Sequence, residues 1–450
     1  MKRLYAPFNF RGGVSPTYHK ETTCNSPLRE LPLPPLLTIS MSQHLGAPAK
    51  PLVSPDDTVV GGQMIAAAAG MISAAIHAPT SGRVVSIGDA ATPLGRPAPA
   101  MVIEPDGNHT WQSPLPPITN WREVAPRTLA ERVGAAGIVG MGGAGFPTHV
   151  KLSPPADKPI DTLIINGAEC EPYLSGDNRI LLEHSAAVWE GAAIIAHILK
   201  ATNIYVAIED NKPDAVRAME QAIPADLANA SLCVLKTSFP QGSEKHQIFS
   251  VTGRTVPAGG LPMDVGCVVE NVATTYAIRD AVINGQPLVT RSITVSGDAV
   301  AAPANLIAHI GTPFSYLVEA CGGVSGTLTK VVSGGTMMGF AQASLDVTMT
   351  KTSSGLLLLS PSQVKQFTSQ ACISCGRCLN ACPMRLMPAE LSQYIESEDI
   401  ANAEASFVMD CFECGSCAFV CPAHRPLVQH MRRAKAIIMA QRRAAGPRPG

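Results

Sequence analysis

Aromatic residues are scarce in this chain of 450 residues: 5% of positions, with 3 Trp, 7 Tyr and 11 Phe. That scarcity removes the stacking platforms on which single-stranded nucleic acid is held. Charge is sparse as well, at 15% of residues, and it cancels to a net −1. With an isoelectric point near 6.8 there is no basic field for a nucleic-acid partner. Long apolar runs are missing too. The uncharged stretch 61–81 is interrupted by Gln63, Ser73, His77, Pro79 and Thr80, short of the 18 or so apolar residues that a spanning helix needs. The opening Met-Lys-Arg is not followed by an apolar segment, so no secretory signal is expected. The chain reads as soluble, or as held at a membrane by partners.

Apolar residues (46%), 38 Gly and 38 Pro are plentiful. The apolar share suffices for several cores and excludes a disordered protein, and the length suggests several domains. Residues 1–50 are Pro-rich and read as irregular. From Ile39 to Glu104, short β-branched pieces such as Thr58-Val-Val and Met101-Val-Ile-Glu alternate with turn residues, which predicts a small all-β unit. Residues 128–280 alternate in the α/β manner. Helices are expected at 128–136, 179–199 (one long helix) and 213–222, and strands at 161–166, 203–208 and 232–236. Residues 289–360 read as a small mixed module, and the remainder as helical. The predicted fold class is therefore multidomain α/β, divided as 1–120, 121–285, 286–360 and 361–450.

Thirteen cysteines without a secretion signal point to metal rather than disulfides. Eight form two arrays of identical spacing, Cys372-x-x-Cys375-x-x-Cys378-x-x-x-Cys382-Pro383 and Cys411-x-x-Cys414-x-x-Cys417-x-x-x-Cys421-Pro422. This is the bacterial ferredoxin run, whose fourth cysteine serves the other cluster. Three thiolates two residues apart wrap one face of a cubane, and the fourth must approach from the opposite side. One [4Fe–4S] cluster is thus expected on Cys372, Cys375, Cys378 and Cys421, and the other on Cys411, Cys414, Cys417 and Cys382. Two zinc sites are the alternative, but zinc does not call for the third cysteine or the Cys-Pro, twice over. Beyond Pro422 there is no acidic residue, whereas Arg425, Arg432, Arg433, Lys435, Arg442, Arg443 and Arg448 occur. A helix there could face anionic lipid or an acidic partner, or simply cover the clusters.

Outside the arrays, the strongest signal is Gly137-Ile-Val-Gly-Met-Gly-Gly-Ala-Gly-Phe-Pro-Thr148, followed by Lys151. Glycines at 140, 142, 143 and 145 allow backbone amides close to a phosphate. The run is neither a Walker loop nor a Rossmann fingerprint. Downstream, the strand at 161–165 ends in Asn166-Gly-Ala-Glu169-Cys-Glu171-Pro-Tyr-Leu-Ser-Gly-Asp177. Amide and carboxylate groups at a strand's C-terminal end suit the hydroxyls of a ribose or ribityl chain. Cys170 reads as a small buried hydrophobe rather than a nucleophile. His77, His149 and His246 lack ligand-like spacing.

These residues resemble a known family. The loop Gly-x-Gly-Gly-Ala-Gly-Phe-Pro-Thr with Asn-x-x-Glu-x-Glu-Pro is similar to the flavoprotein subunit of respiratory complex I. The whole chain resembles more closely the C subunit of the Rnf electron-transport (ion-translocating oxidoreductase) complex, through Phe10-Arg-Gly-Gly-Val-Ser-Pro16, Gln43-His-Leu-Gly-Ala-Pro-Ala, His77-Ala-Pro-Thr-Ser-Gly82, the loop 140–148, Pro240-Gln-Gly-Ser-Glu-Lys245 and the twin arrays. The resemblance implies FMN contacts at Gly140, Gly142, Gly143, Ala144, Lys151, Asn166, Glu169, Asn271 and Thr274, and NADH contacts at Phe146, Glu171 and Glu209. Met141 stands where complex I has an arginine, which shifts phosphate binding toward Lys151. The resemblance further implies an N-terminal lipoyl/biotinyl-type hybrid sandwich, a central Rossmann-like FMN/NADH domain, a β-grasp (SLBB-type) module and a ferredoxin-like C-terminal domain. The span 59–87 has no lysine, so a swinging arm is not expected.

The expected activity follows from that resemblance. NADH would deliver hydride to FMN, with no protein acid or base required. Two [4Fe–4S] clusters would carry electrons singly toward membrane subunits of an Rnf complex and to ferredoxin or flavodoxin, and other subunits would move the ion. The chain would sit peripherally on the cytoplasmic face of the bacterial inner membrane. A cobalamin reductase of the flavin/iron–sulfur type and a non-catalytic electron-transfer scaffold are the alternatives.

Overall fold

The computed structural model describes residues 2–112 and 114–445; Arg448 of the basic tail lies outside them. At its centre is a five-stranded sheet, in the order Lys2–Tyr5, Ala230–Leu235, Asn203–Glu209, Thr162–Gly167, Cys267–Asn271. All four pairings are parallel. A parallel sheet is covered on both faces, so its strands read as near-continuous apolar runs. In Leu163-Ile164-Ile165 the alternation is visible. Leu163 and Ile165 join the large core beneath helices Ser185–Leu199 and Pro213–Gln221. Ile164 turns to the opposite core, where Ile248 and Val251 of helix Glu244–Thr252 meet it.

The strand expected at 161–166 is found at Thr162–Gly167, and that expected at 203–208 at Asn203–Glu209. Two expectations need correction. The N-terminal fifty residues are not wholly irregular, since Lys2–Tyr5 forms an edge of the central sheet and Leu28–Glu30 pairs with Ala304–His309. The single helix over 179–199 is two, Gly176–Glu183 and Ser185–Leu199. His184 leaves the helical region at φ −129°, and its ring packs on Tyr276 with centroids 4.8 Å apart.

The N-terminal unit has two small sheets. Leu37–Ser40, Ala98–Pro105, Gly82–Ala90 and Thr58–Val59 form one; Lys50–Pro51, Met64–Ala67 and Ile76–His77 form the other. They enclose Leu37, Ile39, Ile65, Ile76, Val84, Met101 and Ile103. The module after residue 286 is a six-stranded mixed sheet, and Leu28–Glu30 supplies its outer strand.

The C-terminal domain repeats its backbone as well as its cysteines. Ser374 and Glu413 both have positive φ (57° and 64°), as do Gly376 and Gly415 (71° and 83°) and Arg385 and His424 (58° and 48°). The amide of Ser374 donates to Cys372 Sγ (3.5 Å) and that of Glu413 to Cys411 Sγ (3.4 Å). The basic helix Leu427–Ala444 buries Leu427, Met431, Ala434 and Ile438. Acidic residues from the segment between and within the arrays answer its cations. Arg432 and Lys435 bind Glu413 (2.8 and 2.6 Å) and Arg433 binds Glu398 (2.9 Å); just before the helix, Arg425 binds Glu396. The described part of this helix covers the second array, with Val428 and Met431 lining one cavity with its cysteines.

Candidate cofactor sites

The glycine loop is closed at its base and open at its tip. Gly140 N–H donates to the Phe146 carbonyl (2.9 Å) and Thr148 N–H to Ile138 (3.1 Å). Gly142, Gly143 and Ala144 are exposed. A Cβ on Gly143 would meet nothing within 4 Å, whereas one on Gly142 would come within 2.9 Å of Asn271 Cβ. The loop is therefore pressed against Asn271, at the end of strand Cys267–Asn271. Asn271 caps helix Val272–Arg279, its Oδ1 accepting from Ala273 N (2.9 Å) and Thr274 N (3.2 Å). Thr274 Oγ1 in turn accepts from Met141 N (2.9 Å). Sequence-distant residues expected at one flavin thus share one hydrogen-bonded frame.

Lys151 stands at the foot of this frame. Its ammonium binds Glu244 and the Val269 carbonyl and lies 3.7 Å from Glu270 Oε1. Burial alone would lower its pKa, but Glu244 and Glu270 outweigh that and hold it above the ordinary lysine value. Burial pushes Glu270 up to about 7. Asn166 Nδ2 donates to Gly242 O (2.8 Å), and Asn166 Oδ1 accepts from Gln247 Nε2 (2.7 Å) and Ala168 N (3.1 Å). Glu270 Oε1 and Gln247 Oε1 are buried without a hydrogen-bond partner. Native interiors seldom leave such atoms unpaired. Exposed loop amides, an ammonium and orphaned acceptors suit a phosphorylated ligand with a polar heterocyclic edge, so the residues fit FMN.

Glu169, at φ +45°, turns its carboxylate onto the amides of Asp177 (2.7 Å) and Asn178 (3.2 Å). Asp177 accepts from Asn271 Nδ2 (2.6 Å), and burial, with Glu169 adding to it, raises it to about 6. Of the residues expected at NADH, Phe146 lies in the loop. Glu171 is turned toward the β-grasp module, where it accepts from Met337 N (3.0 Å) and Met338 N (2.8 Å); burial raises it to about 7. Glu209 is fully enclosed, its oxygens taken by Lys212 Nζ (3.1 Å) and Ser238 N (3.2 Å). Asp177, the last residue of the carboxylate-bearing segment, joins the frame, and so do Gly242, Glu244 and Gln247, to which sequence reasoning gave no individual role. The motif 240–245 was visible, but nothing local said that it would meet Asn166 and Lys151.

The cysteine arrays cross. Cys382 lines one cavity with Cys411, Cys414 and Cys417. Burial raises the Cys378 thiol, and Cys421 of the other array is close enough to add to that rise. The second array packs on the flavin domain, where Cys414 joins Cys170 and Phe239 in one apolar cluster. Burial raises the Cys170 thiol to about 12, which suits the small buried hydrophobe read from the sequence. The first array is more open, with Cys375 exposed. His246 ties the domains together through Ser243 Oγ (2.9 Å) and Pro383 O (3.2 Å). Beside it, a Cβ on Gly12 would lie 2.7 Å from the Cys382 carbonyl. Only glycine allows that approach, which gives the Phe10-Arg-Gly-Gly motif its physical reason.

Four family models match the chain: the RnfC barrel sandwich hybrid domain over residues 8–108, the Nuo51 FMN-binding domain over 133–280, the SLBB domain over 292–341 and the 4Fe-4S dicluster domain over 371–425. The chain is 46% identical to the C subunit of a proton-translocating ferredoxin:NAD(+) oxidoreductase complex of Clostridium ljungdahlii, over 98% of this chain and 95% of that one. It is 43% identical to the C subunit of an ion-translocating oxidoreductase complex of Rhodobacter capsulatus (95% and 83%). It is 40% identical to the C subunit of a Na(+)-translocating ferredoxin:NAD(+) oxidoreductase complex of Acetobacterium woodii (96% and 98%). Among solved structures, an NAD+-reducing [NiFe]-hydrogenase in the H2-reduced state shares the fold, with TM-score 0.51 and 18% identity over 73% of this chain and 68% of that one. The cofactors are accordingly FMN and 4Fe–4S clusters, and the alternative of two zinc sites falls away. No helix of the described residues is long and apolar enough to cross a membrane.

Proposed function

The chain belongs to the RnfC family, the C subunits of Rnf ion-translocating oxidoreductase complexes, and from that premise we propose that it exchanges hydride with NADH and passes the electrons to the rest of its complex. It is an electron-transfer subunit of an ion-translocating complex and works with the other Rnf subunits. FMN, when bound, turns a two-electron donor into a source of single electrons, and the clusters carry these one at a time. In this proposal Gly140, Gly142, Gly143, Ala144, Lys151, Asn166, Glu169, Asn271 and Thr274 hold the flavin. Cys372, Cys375, Cys378 and Cys421 hold one cluster; Cys411, Cys414, Cys417 and Cys382 hold the other. Phe146 faces the nicotinamide nucleotide.

The observation that carries this reading is the shared frame of loop, strand end and helix cap, in contact with the second cysteine array through Cys170 and Phe239. The apolar cluster excludes water from the contact between the two domains, so the short way out of the flavin domain leads to the second array. The exposed first array is then the face toward a partner subunit, and ferredoxin or flavodoxin is the terminal partner. In this reading the chain rests peripherally, on the cytoplasmic face of the membrane, and the ion moves elsewhere in the complex.

The visible spectrum of the anaerobically purified chain tests the proposal. Flavin bands that bleach on addition of NADH are expected. Iron–sulfur absorbance alone, with no response to NADH, refutes it.

A further inference from the structure

A cavity of ≈ 490 Å³ lies where the barrel sandwich, the N-terminal segment, the flavin domain and the β-grasp module meet. Trp111, Leu31, Tyr276 and Arg291 line it, one from each of these parts. Its volume is in the range of small-molecule sites. It adjoins the flavin frame through Met141 and Ala273, whereas Gly142, Lys151, Asn166, Glu169 and Asn271 do not line it.

Arg291 is the feature that needs an explanation. It is 4% exposed. Its Nη2 donates to the Met141 carbonyl (2.7 Å) and its Nε to that of Ser353, whereas Nη1 is buried with no partner. A guanidinium deprived of water is costly unless its donors and its charge are both answered. Two carbonyls answer part of the first need, and Asp177 pulls on the charge only through space. Burial lowers Arg291 to about 10, so it remains a cation at neutral pH. A second wall residue, His309, likewise leaves its buried Nδ1 without a partner. Leu31, Ile180, Leu288 and Val289 form an apolar part of the wall; His109, His184 and Gln286 are polar, and the one carboxylate, Asp280, is paired with Arg279 (2.9 Å).

We propose that this junction cavity binds a small organic anion, a carboxylate or phosphate ester bearing one ring-sized apolar group, with its anionic head on Arg291 Nη1. The apolar body fills the space among Leu31, Leu288 and Val289, and His309 Nδ1 supplies a second polar contact. The same guanidinium holds the Met141 carbonyl, and Met141 N–H is held by Thr274. An occupant is thereby joined to the back of the glycine loop through one side chain.

Calorimetric titration of the full chain, loaded with FMN and iron so that the flavin phosphate site is filled, tests the proposal with three probes: benzoate, phenyl phosphate and inorganic phosphate. One-to-one binding of benzoate or phenyl phosphate is expected, and which of the two binds more tightly identifies the head group. Ala277→Trp, which fills the cavity from a helix face, and Arg291→Gln should each weaken it at least about tenfold, a difference of about 1.4 kcal/mol. Ala277→Trp should retain its flavin and its melting temperature. If it does not load flavin, Gln286→Trp fills the same space from an exposed position on the rim. Equal affinity in wild type and the filled variant overturns the proposal, as does the absence of saturable binding by both aromatic anions. Inorganic phosphate binding as tightly as phenyl phosphate also overturns it, since the apolar walls then contribute nothing.

Discussion

Asn271 offers the sharpest test of the flavin frame, because its side chain does two separable things. Its Oδ1 caps helix Val272–Arg279, and its Nδ2 donates to the buried carboxylate of Asp177 at 2.6 Å. Asn271→Ala removes both. Loss of the cap costs about 1 kcal/mol. A hydrogen bond to a charged group is worth roughly 1.5–3 kcal/mol, but Asp177 has an escape. With its pKa raised to about 6, protonating it at pH 7 costs only about 1 kcal/mol, and that limits the second loss. The expected destabilisation is therefore about 2 kcal/mol at pH 7. At pH 5 the carboxyl is already neutral, and only the cap's share of about 1 kcal/mol remains. Asn271→Ser keeps a capping oxygen and lacks the donor, so it should cost about 1 kcal/mol at pH 7 and almost nothing at pH 5. Urea unfolding of the flavin-loaded chain, followed by the fluorescence of released FMN, reads each difference as a midpoint shift. A penalty for Asn271→Ala that does not change between pH 5 and pH 7, or a serine variant no better than alanine, refutes the reasoning.

Three further outcomes are expected. Cys382→Ala and Cys411→Ala should each leave about four iron atoms per chain, and the double variant should lose no more than either one, whereas Cys382→Ala with Cys372→Ala should lose both clusters; iron analysis under anaerobic conditions separates these cases. Burial raises Glu171 and Glu270 to about 7, well above the unfolded value near 4.3. Their contribution to stability is thus complete below about pH 4 and is lost as the pH rises through 7. Glu171→Gln should accordingly gain on the wild type between pH 5 and pH 8, and a constant difference in denaturant midpoint over that range would contradict the assignment. Trp189 is fully enclosed beneath the central sheet, and its Nε1 donates to Met219 O at 2.8 Å. Trp189→Ala should cost about 3–5 kcal/mol, measured by the same unfolding assay, with the iron–sulfur absorbance of the folded protein unchanged.

Where chemistry depends on residues near one another in the chain, the sequence was legible. The glycine loop and the apolar strand expected at 161–166 are local patterns, and each forms the element that its residues predict, whereas the helix cap at Asn271 was not read from the sequence. The Cys-x-x-Cys-x-x-Cys turns repeat in backbone conformation as well as in spacing. Carboxylates were less legible. Glu169, Glu171 and Glu209 have similar chemistry in the sequence. In the structure one caps a helix start, one reaches the β-grasp loop, and one is enclosed with Lys212. A buried carboxylate takes whichever donors surround it, and those donors come from segments far away in the chain. The basic tail was ambiguous for the same reason, since its acidic partners, Glu396, Glu398 and Glu413, are matched to it only once the domain closes.

The sequence by itself determined the iron–sulfur centres, because the ligand spacing of a cubane is a property of a short peptide, whereas the flavin followed from the resemblance of the glycine loop and the segment after Asn166 to a known family. It also determined the alternation that makes a parallel sheet. Tertiary structure alone decided that Lys2–Tyr5 would complete that sheet and Leu28–Glu30 the neighbouring one. It decided too that Arg291 would reach the back of the glycine loop from another module with one donor unanswered. These are pairings across 150 to more than 270 positions of chain, and no local pattern encodes them. They arise when each buried polar group and each unpaired strand edge must find its partner in a single closed arrangement.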